Sequence, residues 1–345
     1  MNFEEVKRFL KEYDGPEVCI MEVCGSHTGA ISKNGIRGML SPKIKLLSGP
    51  GCPVCVTPTA YVDKLIELAL TPNTCVVTFG DMLRVPGSKM CLSEAAGLGG
   101  RAVMIYSPME IIGMAEKEPD TTFVFAAVGF ETTTPVYALL MEEVIEKELQ
   151  NVKLLTALKT MPGVIDYLCR EGAAIDGFLA PGHVATVTGS DIFKPLALNY
   201  RIPFGVAGFE GEEIFNALYG IVKAYGKVEV MNFYPQVVSE EGNNKAKALV
   251  DKYFMEADAP WRGMGVVPMT GKVLREEYAQ YDAGSRNLTE DNQKNKACCC
   301  DKILMGKMEP NQCPLFGKVC KPLTPQGACM VSEEGSCRSR FITGE

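Results

Sequence analysis

The sequence predicts an α/β protein with parallel sheets and a separate cysteine-rich C-terminal segment. Short β-branched and apolar runs alternate with amphipathic stretches through most of the chain, a pattern typical of strands joined by crossover helices. Loops rich in glycine and polar residues follow several of these runs. The tail differs, because seven of the fourteen cysteines lie between positions 298 and 337.

The predicted elements follow one another in regular order after an N-terminal helix. In the first part of the chain we predict strands at 17–23, 44–47, 74–79, 102–106 and 121–128, and helices at 58–70, 91–98, 108–117 and 135–150. The alternation restarts with strands at 152–158, 176–180, 203–207 and 227–232, and helices at 162–172, 190–198 and 211–225. The last amphipathic helix is predicted at 242–254, and Trp261-Arg-Gly-Met-Gly indicates a turn.

Length and spacing indicate more than one domain. At 345 residues the chain exceeds the size at which a single core keeps growing, and the alternation restarts near residue 150. We therefore expect two α/β domains, 1–135 and 136–235, that face each other across a cleft. Residues 236–345 are expected to form a C-terminal domain folded around a metal rather than around a core of its own.

Composition excludes several classes of function. The formal net charge is −7, from 35 basic and 42 acidic residues, so the chain lacks the basic footprint of nonspecific nucleic-acid binding. No apolar run approaches the roughly 20 residues that span a bilayer, and the N-terminal stretch lacks a signal-peptide core. We expect a cytoplasmic protein whose fourteen cysteines serve metal or redox chemistry.

Five loops at predicted strand ends are the candidate site. Ligands of open α/β folds collect at the carboxyl ends of the strands, and we expect all five loops on that edge. Taken singly, such residues often only end a strand and cap the next helix. The loops are Cys24-Gly-Ser-His-Thr28, Gly49-Pro-Gly-Cys-Pro-Val-Cys55, Gly129-Phe-Glu-Thr-Thr-Thr134, Pro181-Gly-His183 and Gly208-Phe-Glu210.

Cys24 is the first candidate ligand. It precedes a short helix or turn, where backbone N–H groups favour the thiolate that binds metal, and the alternative is a buried cysteine that acts as a small hydrophobe. His27 is a ligand, an acid/base group or a packing residue, and the sequence leaves these open. His183, the other histidine of the chain, also falls at a strand end.

The Cys52-Pro-Val-Cys55 spacing is that of a redox dithiol or of half a metal clamp. A structural zinc site is the main alternative, because Cys24, His27, Cys52 and Cys55 make an acceptable set of four ligands. In the tail, widely spaced cysteines suit a [4Fe–4S] cluster better than a zinc ribbon, which uses two close pairs of cysteines.

The ordered motifs resemble the HypD family of hydrogenase maturation proteins, scaffolds on which the Fe(CN)2CO group of nickel–iron hydrogenases is assembled. The resemblance rests on the five loops and on two tail segments, Cys313-Pro-Leu-Phe-Gly-Lys-Val-Cys320 and Cys329-Met-Val-Ser-Glu-Glu-Gly-Ser-Cys337. It implies that Cys24 holds the iron together with a cysteine of a small HypC-type chaperone. A HypE-type partner would deliver cyanide from a thiocyanate on its own C-terminal cysteine.

The resemblance also implies roles for the remaining residues. Cys52 and Cys55 would be the dithiol beside the iron, and a distant [4Fe–4S] cluster would supply its electrons. The family spacing falls on Cys300, Cys313, Cys320 and Cys337, with Cys329, Cys298 or Cys299 as substitutes for one of them. Residues implied to line the cleft and to manage protons are Glu131, Thr132, Thr133, His183 and Glu210.

The resemblance implies an assembly role rather than turnover catalysis, since the product would stay bound until a partner takes it. Two other classes remain in competition with it. One is an iron–sulfur-dependent thiol–disulfide oxidoreductase, in which Cys24 has no task. The other is a zinc-stabilised binding module, which would contain zinc and lack the visible absorption of an iron–sulfur cluster.

Overall fold

The computed structural model of the protein describes residues 2–344. Within this range eleven strands form two sheets. The strands are β1 (Val18–Glu22), β2 (Ile44–Ser48), β3 (Thr74–Thr78), β4 (Ala102–Met104), β5 (Thr122–Gly129), β6 (Val152–Lys159), β7 (Gly177–Pro181), β8 (Phe204–Ala207), β9 (Val230–Asn232), β10 (Phe254–Trp261) and β11 (Gly265–Leu274).

Fourteen α-helices accompany the strands in the described range. They are α1 (Phe3–Glu12), α2 (Gly25–Lys33), α3 (Pro53–Val56), α4 (Thr59–Leu70), α5 (Leu92–Gly97), α6 (Glu110–Lys117), α7 (Thr134–Glu146), α8 (Met161–Arg170), α9 (Gly182–Thr188), α10 (Lys194–Tyr200), α11 (Gly211–Lys223), α12 (Asn244–Tyr253), α13 (Cys300–Leu304) and α14 (Ser336–Thr343). Short 3-10 helices lie at Ile36–Met39, Gly80–Leu83, Ser190–Phe193, Glu276–Tyr281, Pro310–Gln312 and Ala328–Met330.

Local sequence explains where these elements begin. Asn2 caps α1 by accepting a hydrogen bond from the backbone N–H of Glu5, at 2.9 Å. Proline lies in the first turn of α7 and of α8, where its missing N–H costs no helical hydrogen bond. Strand β5 is almost continuously apolar and buried, as expected for a central parallel strand covered on both faces.

The predicted α/β class is confirmed. The five-stranded sheet has the order β2-β1-β7-β8-β9 and is parallel throughout. The six-stranded sheet has the order β10-β11-β6-β5-β3-β4, in which β11 runs antiparallel to both β10 and β6. Both sheets place several loops of the candidate site at the carboxyl ends of parallel strands.

Sheet membership departs from the contiguous domains 1–135 and 136–235. The five-stranded sheet combines β1 and β2 with β7 to β9, and the six-stranded sheet combines β3 to β6 with β10 and β11. The physical reason is that alternating strands and helices predict a parallel sheet, while the choice of sheet depends on tertiary packing that local patterns do not encode.

The hairpin of β10 and β11 was not predicted, although the turn between its strands was. Exposed positions interrupt the apolar pattern of both strands, and each contains proline, which weakens the strand signal. The helix predicted at 190–198 is a 3-10 turn followed by α10. No helix within residues 2–344 has the length and apolar character needed to cross a membrane.

The cysteine-rich tail packs on the N-terminal loops. Helix α14 contacts α2, and α13 contacts α3. One continuous apolar cluster contains Cys52 and Cys55 together with five cysteines of the tail: Cys300, Cys313, Cys320, Cys329 and Cys337. The tail therefore shares a core with the Cys52–Cys55 segment.

Candidate functional site

The two N-terminal cysteine loops touch each other at the carboxyl edge of the five-stranded sheet. Strands β1 and β2 are parallel neighbours in register, so Cys24 and Gly51 leave the sheet side by side. The backbone N–H of Gly25 donates to the carbonyl of Gly51, at 3.2 Å. A Cβ atom on Gly51 would lie 2.2 Å from the backbone nitrogen of Cys24, so this close approach requires glycine.

A cavity of about 140 Å³ opens beside these loops. Its walls come from both sheets, since the loop after β5 and the start of α9 face the loop after β1. The cavity brings together four of the predicted site residues: Cys24, Thr132, Thr133 and His183. Its other lining residues are Val23, Ser26, Gly51, Pro53, Phe130, Met161, Pro181, Val184 and Glu334.

Cys24 is a buried thiol at the start of α2, only 8% exposed. Burial raises the pKa of Cys24 to about 12, and the nearby carboxyl groups of Glu334 and Glu22 act in the same direction. Hydrogen bonds from the backbone N–H groups of His27 and Ser26 oppose this shift without reversing it. For Cys24 without a bound metal, the loss of water therefore outweighs the stabilising effect of the helix terminus on the thiolate.

Cys52 and Cys55 form a disulfide at the start of α3. Their exposed fractions are 3% and 0%, so both sulfurs are inside the protein. The backbone N–H of Cys55 donates to Sγ of Cys52, at 3.2 Å. A bonded pair of sulfurs cannot act as two thiolate ligands, so in this form Cys52 and Cys55 are not zinc ligands.

His27 lies in the core and outside the lining of the cavity. Its Nε2 donates to the carbonyl oxygens of Gly208, at 2.9 Å, and Ala207, at 3.3 Å. Burial lowers the pKa of His27 to about 4, so the ring is neutral and Nδ1 is left without a hydrogen-bond partner. Of the three roles left open for His27, the geometry matches packing, because the side chain ties α2 to the end of β8.

The rings of the two histidines contact the same aromatic side chain. Phe209 lies 4.8 Å from the His27 ring and 3.9 Å from the His183 ring, measured between centroids. Burial also lowers the pKa of His183. Thus His183 reaches the cavity, and His27 supports it indirectly through Phe209.

Glu131 faces a second cavity, of about 320 Å³, rather than the cavity of Cys24. Its Oε1 accepts a hydrogen bond from the backbone N–H of Met161, at 2.8 Å, and Oε2 has no partner. Burial raises the pKa of Glu131 to about 7. Glu131 therefore does not line the same cavity as its neighbour Thr132, in contrast to what the resemblance implied.

Glu210 does not line either of these two cavities. It is exposed at the start of α11, where its backbone N–H donates to Oε2 of Glu213, at 3.1 Å. Glu210 therefore caps the start of α11 and does not line the cleft.

Two carboxylates near Cys24 were not predicted as site residues. Glu22 is fully buried in β1, and burial raises its pKa to about 7. Glu334 of the tail lines the cavity and accepts a hydrogen bond from Oγ of Ser26, at 3.1 Å. The position of Glu22 in the apolar run of β1 could have indicated a buried functional carboxylate. No feature of the sequence around Glu334 indicates that it lines this cavity.

The tail brings five cysteines around one small cavity: Cys298, Cys300, Cys313, Cys320 and Cys337. The four that the family spacing singles out are all among them. The thiol of Cys329 also interacts with those of Cys300 and Cys337, and the thiol of Cys299 with that of Cys313.

No group of three or more His, Cys, Asp or Glu side chains in residues 2–344 has an arrangement that could hold a single metal ion. A four-iron cluster is wider than one ion and holds its sulfur ligands farther apart. The donors around the tail cavity are thiols that are mostly buried, which is the chemistry such clusters use. The residues present therefore fit a cluster in ligand type and number.

Comparisons with known proteins agree with these motifs. The chain matches the family model HypD, described as the hydrogenase formation hypA family, over residues 2–343. A protein of Methanocaldococcus jannaschii named putative hydrogenase expression/formation protein is 43% identical over 339 residues, which cover 97% of this chain and 94% of the relative. The hydrogenase maturation factor HypD of Azotobacter vinelandii is 40% identical, over 94% of this chain and 89% of the relative. The hydrogenase maturation factor HypD of Escherichia coli is 38% identical, over 93% of this chain and 88% of the relative. The chain belongs to the HypD family of hydrogenase formation proteins.

Proposed function

We propose that the protein is a scaffold and redox protein in the assembly of the Fe(CN)2CO group of nickel–iron hydrogenases. The observation that carries this proposal is the contact between the Cys24 loop and the disulfide-bearing loop at one cavity. The names of the relatives, hydrogenase maturation factors, support the same process. The twelve unpaired cysteines suit a reducing compartment such as the cytoplasm.

In this proposal Cys24 binds the iron that is being assembled, together with a cysteine of a HypC-type chaperone. Iron(II) that carries cyanide and CO favours soft thiolate ligands. Binding must displace the proton of the Cys24 thiol, whose pKa burial raises to about 12. The carboxyl group of Glu22, with its pKa raised to about 7 by burial, is suited to hold that proton near neutral pH.

Cys52 and Cys55 supply the electrons that release cyanide from a thiocyanate on a HypE-type partner. The dithiol gives two electrons and two protons and becomes a disulfide. The S–CN bond of the thiocyanate breaks, leaving a thiol on the partner and one cyanide with one proton. Thr132 and His183, which line the cavity, would donate hydrogen bonds to the cyanide nitrogen.

A [4Fe–4S] cluster would be held by Cys300, Cys313, Cys320 and Cys337 and would supply electrons one at a time. Its ligands belong to the same apolar cluster as Cys52 and Cys55, which supports electron delivery to the disulfide. Two electrons and two protons convert that disulfide back to two thiols. The chain contributes the dry surroundings that keep both sulfurs from other oxidants.

An iron–sulfur-dependent thiol–disulfide oxidoreductase is the second candidate, because the observed Cys52–Cys55 disulfide fits it as well. Cys24→Ala distinguishes the two. We expect this variant to abolish hydrogenase activity in a strain that lacks the endogenous HypD, while Cys52–Cys55 is still reduced. Cys91→Ala, at the start of α5 and outside the lining of the cavity, is the control.

Infrared spectra provide a second readout for the same variants. The wild-type protein copurified with its HypC-type partner should show bands of bound cyanide and CO, and Cys24→Ala should lack them. Active hydrogenase in the Cys24→Ala strain would overturn the scaffold role and leave the oxidoreductase.

A further inference from the structure

The turn between β10 and β11 contains a buried arginine. Arg262 is only 2% exposed, and its backbone N–H donates to the carbonyl of Val56, at 2.9 Å. Its Nε donates to the carbonyl of Thr57, at 2.9 Å, and Nη1 lies 3.2 Å from Oγ1 of Thr59. These three partners, Val56, Thr57 and Thr59, belong to the segment that follows Cys55. Arg262 therefore binds the chain just after the disulfide.

The other side of this turn meets the cysteine-rich tail. Gly263 has a φ of +74°, and a Cβ atom there would lie 2.1 Å from Cβ of Asp301. Asp301 immediately follows Cys300, one of the proposed cluster ligands. The turn therefore packs between the disulfide-bearing segment and the start of the tail, and it carries the buried positive charge of Arg262.

The charge of Arg262 is only partly balanced. Asp291 is the nearby carboxylate, with Oδ1 3.8 Å from Nη1, and its side chain is 20% exposed. Both oxygens of Asp291 are also engaged elsewhere, Oδ1 with Thr59 and Oδ2 with the backbone N–H of Gly263. Nη2 of Arg262 is buried and has no hydrogen-bond partner among the described residues. Water screens the partly exposed carboxylate of Asp291 more than the buried guanidinium, so this ion pair does not fully cancel the charge of Arg262.

We propose that Arg262 is a positioning residue that favours the reduced form of the Cys52–Cys55 pair. Two electrons and two protons convert the disulfide to two thiols. One of these thiols can release its proton at the pH of the measurement, and the guanidinium stabilises the thiolate that this release forms. The inference rests on the redox role proposed for Cys52 and Cys55, and it assigns the control of their equilibrium to a residue outside the motif. The negative charge of Asp291 should disfavour the thiolate and so oppose the effect of Arg262 on the equilibrium.

The test is the equilibrium of the full-length, anaerobically purified protein with reduced and oxidised dithiothreitol at pH 8. The fraction of reduced Cys52–Cys55 peptide is trapped with a maleimide and measured by mass spectrometry. We expect Arg262→Gln to lower the equilibrium constant for reduction about tenfold, which corresponds to about 30 mV. Arg262→Lys keeps the charge and should retain most of the wild-type value.

Asp291→Asn tests the sign of the effect. Asparagine keeps an oxygen that can accept the hydrogen bonds of Thr59, but its NH2 group cannot accept from the N–H of Gly263, so the sign of the shift, rather than its size, carries the test. We expect its equilibrium constant to rise, opposite to Arg262→Gln, whereas a purely structural role would shift both variants the same way. Arg286→Gln, which breaks an exposed ion pair with Glu276, is the control and should match wild type.

An unchanged constant in Arg262→Gln, or a shift of Asp291→Asn in the same direction, would overturn the proposal. If Arg262→Gln does not fold, Arg262→Lys and Asp291→Asn decide it: a wild-type constant in Arg262→Lys with a raised one in Asp291→Asn supports the charge effect. The equilibrium needs no partner protein. Hydrogenase that still matures in Cys52→Ser would reject the proposed redox function separately, without altering this measurement.

Discussion

Glu22 accepts a hydrogen bond from the backbone N–H of Cys24, with 3.2 Å between Oε2 and the nitrogen, although its carboxyl group is wholly buried. Its Oε1 accepts a second bond from Oγ1 of Thr28, at 2.6 Å. The strand that delivers Cys24 to the cavity therefore also carries the acceptor that fixes the first turn of α2. This single side chain links the end of β1, the cysteine and the helix.

Glu22→Ala should destabilise the protein. It leaves the buried N–H of Cys24 without its acceptor and removes the shorter of the two hydrogen bonds of the Thr28 hydroxyl, and we expect a loss of about 2–3 kcal/mol in the free energy of unfolding. Urea denaturation measures this loss. Glu17→Ala, at an exposed carboxylate paired with Lys45, is the control. If both variants lose the same free energy of unfolding, the buried hydrogen bonds of Glu22 stabilise the protein no more than the exposed ion pair of Glu17.

Gly51→Ala should separate the two cysteine loops. The added Cβ would meet the backbone of Cys24 at 2.2 Å, and a backbone atom cannot move aside as a flexible side chain can. We expect loss of hydrogenase maturation and a lower melting temperature. Gly29→Ala is the matched control, because nothing lies within 4 Å of its Cβ position in α2.

The Gly29→Ala control should gain about 0.5–1 kcal/mol, since alanine is the better helix former. Normal maturation in Gly51→Ala would contradict the requirement for contact between the loops.

Local patterns were sufficient to predict most strands, the α/β class and the loops that carry Cys24 and His183. They were insufficient for Glu131, because Thr132 and Glu131 are neighbours in sequence but face different cavities. They also could not predict the burial of Cys24, because the walls of its cavity come from the loop after β5, from α9 and from the tail. Glu334 lies more than 300 positions from Ser26, its partner, and no local pattern predicts that contact.

The spacing of Cys52 and Cys55 allowed a disulfide but did not decide for it, because the same spacing also suits half a metal clamp. The burial and the contacts of Arg262 could not be predicted from the sequence. Its sequence predicted a turn correctly, but only the packing of β10 and β11 brings that turn against Val56 and Thr57.

Cys313→Ala should remove a proposed cluster ligand. Cys313 is buried and lines the tail cavity, and we expect the anaerobically purified variant to lose about four iron atoms per chain and the visible absorption near roughly 400 nm. Its melting temperature should also fall, because ligation contributes to the folding of the tail. Cys169→Ala, in α8, is the control. Unchanged iron content in Cys313→Ala would reject this residue as a ligand.

The pH dependence of stability should report on Glu131. Burial raises its pKa to about 7 in the folded protein, compared with 4.5 for an exposed glutamate. Between these values the folded state holds a proton that the unfolded state has lost, so stability falls as pH rises through this window. A shift of this size corresponds to roughly 3 kcal/mol. Below the lower value both states are protonated, and above the upper value the loss is complete.

Glu131→Gln removes this titration while keeping the size and the acceptor for the N–H of Met161. Relative to this variant, wild type should lose roughly 3 kcal/mol of unfolding free energy between pH 4.5 and pH 8, measured by urea denaturation at both values. Glu22 titrates in the same window in both proteins, so its contribution cancels in the difference. Glu277→Gln, at an exposed carboxylate, controls for the substitution itself. If wild type and Glu131→Gln show the same pH dependence, Glu131 does not remain protonated in the folded protein near neutral pH, and its carboxylate must be ionised at the wall of the second cavity.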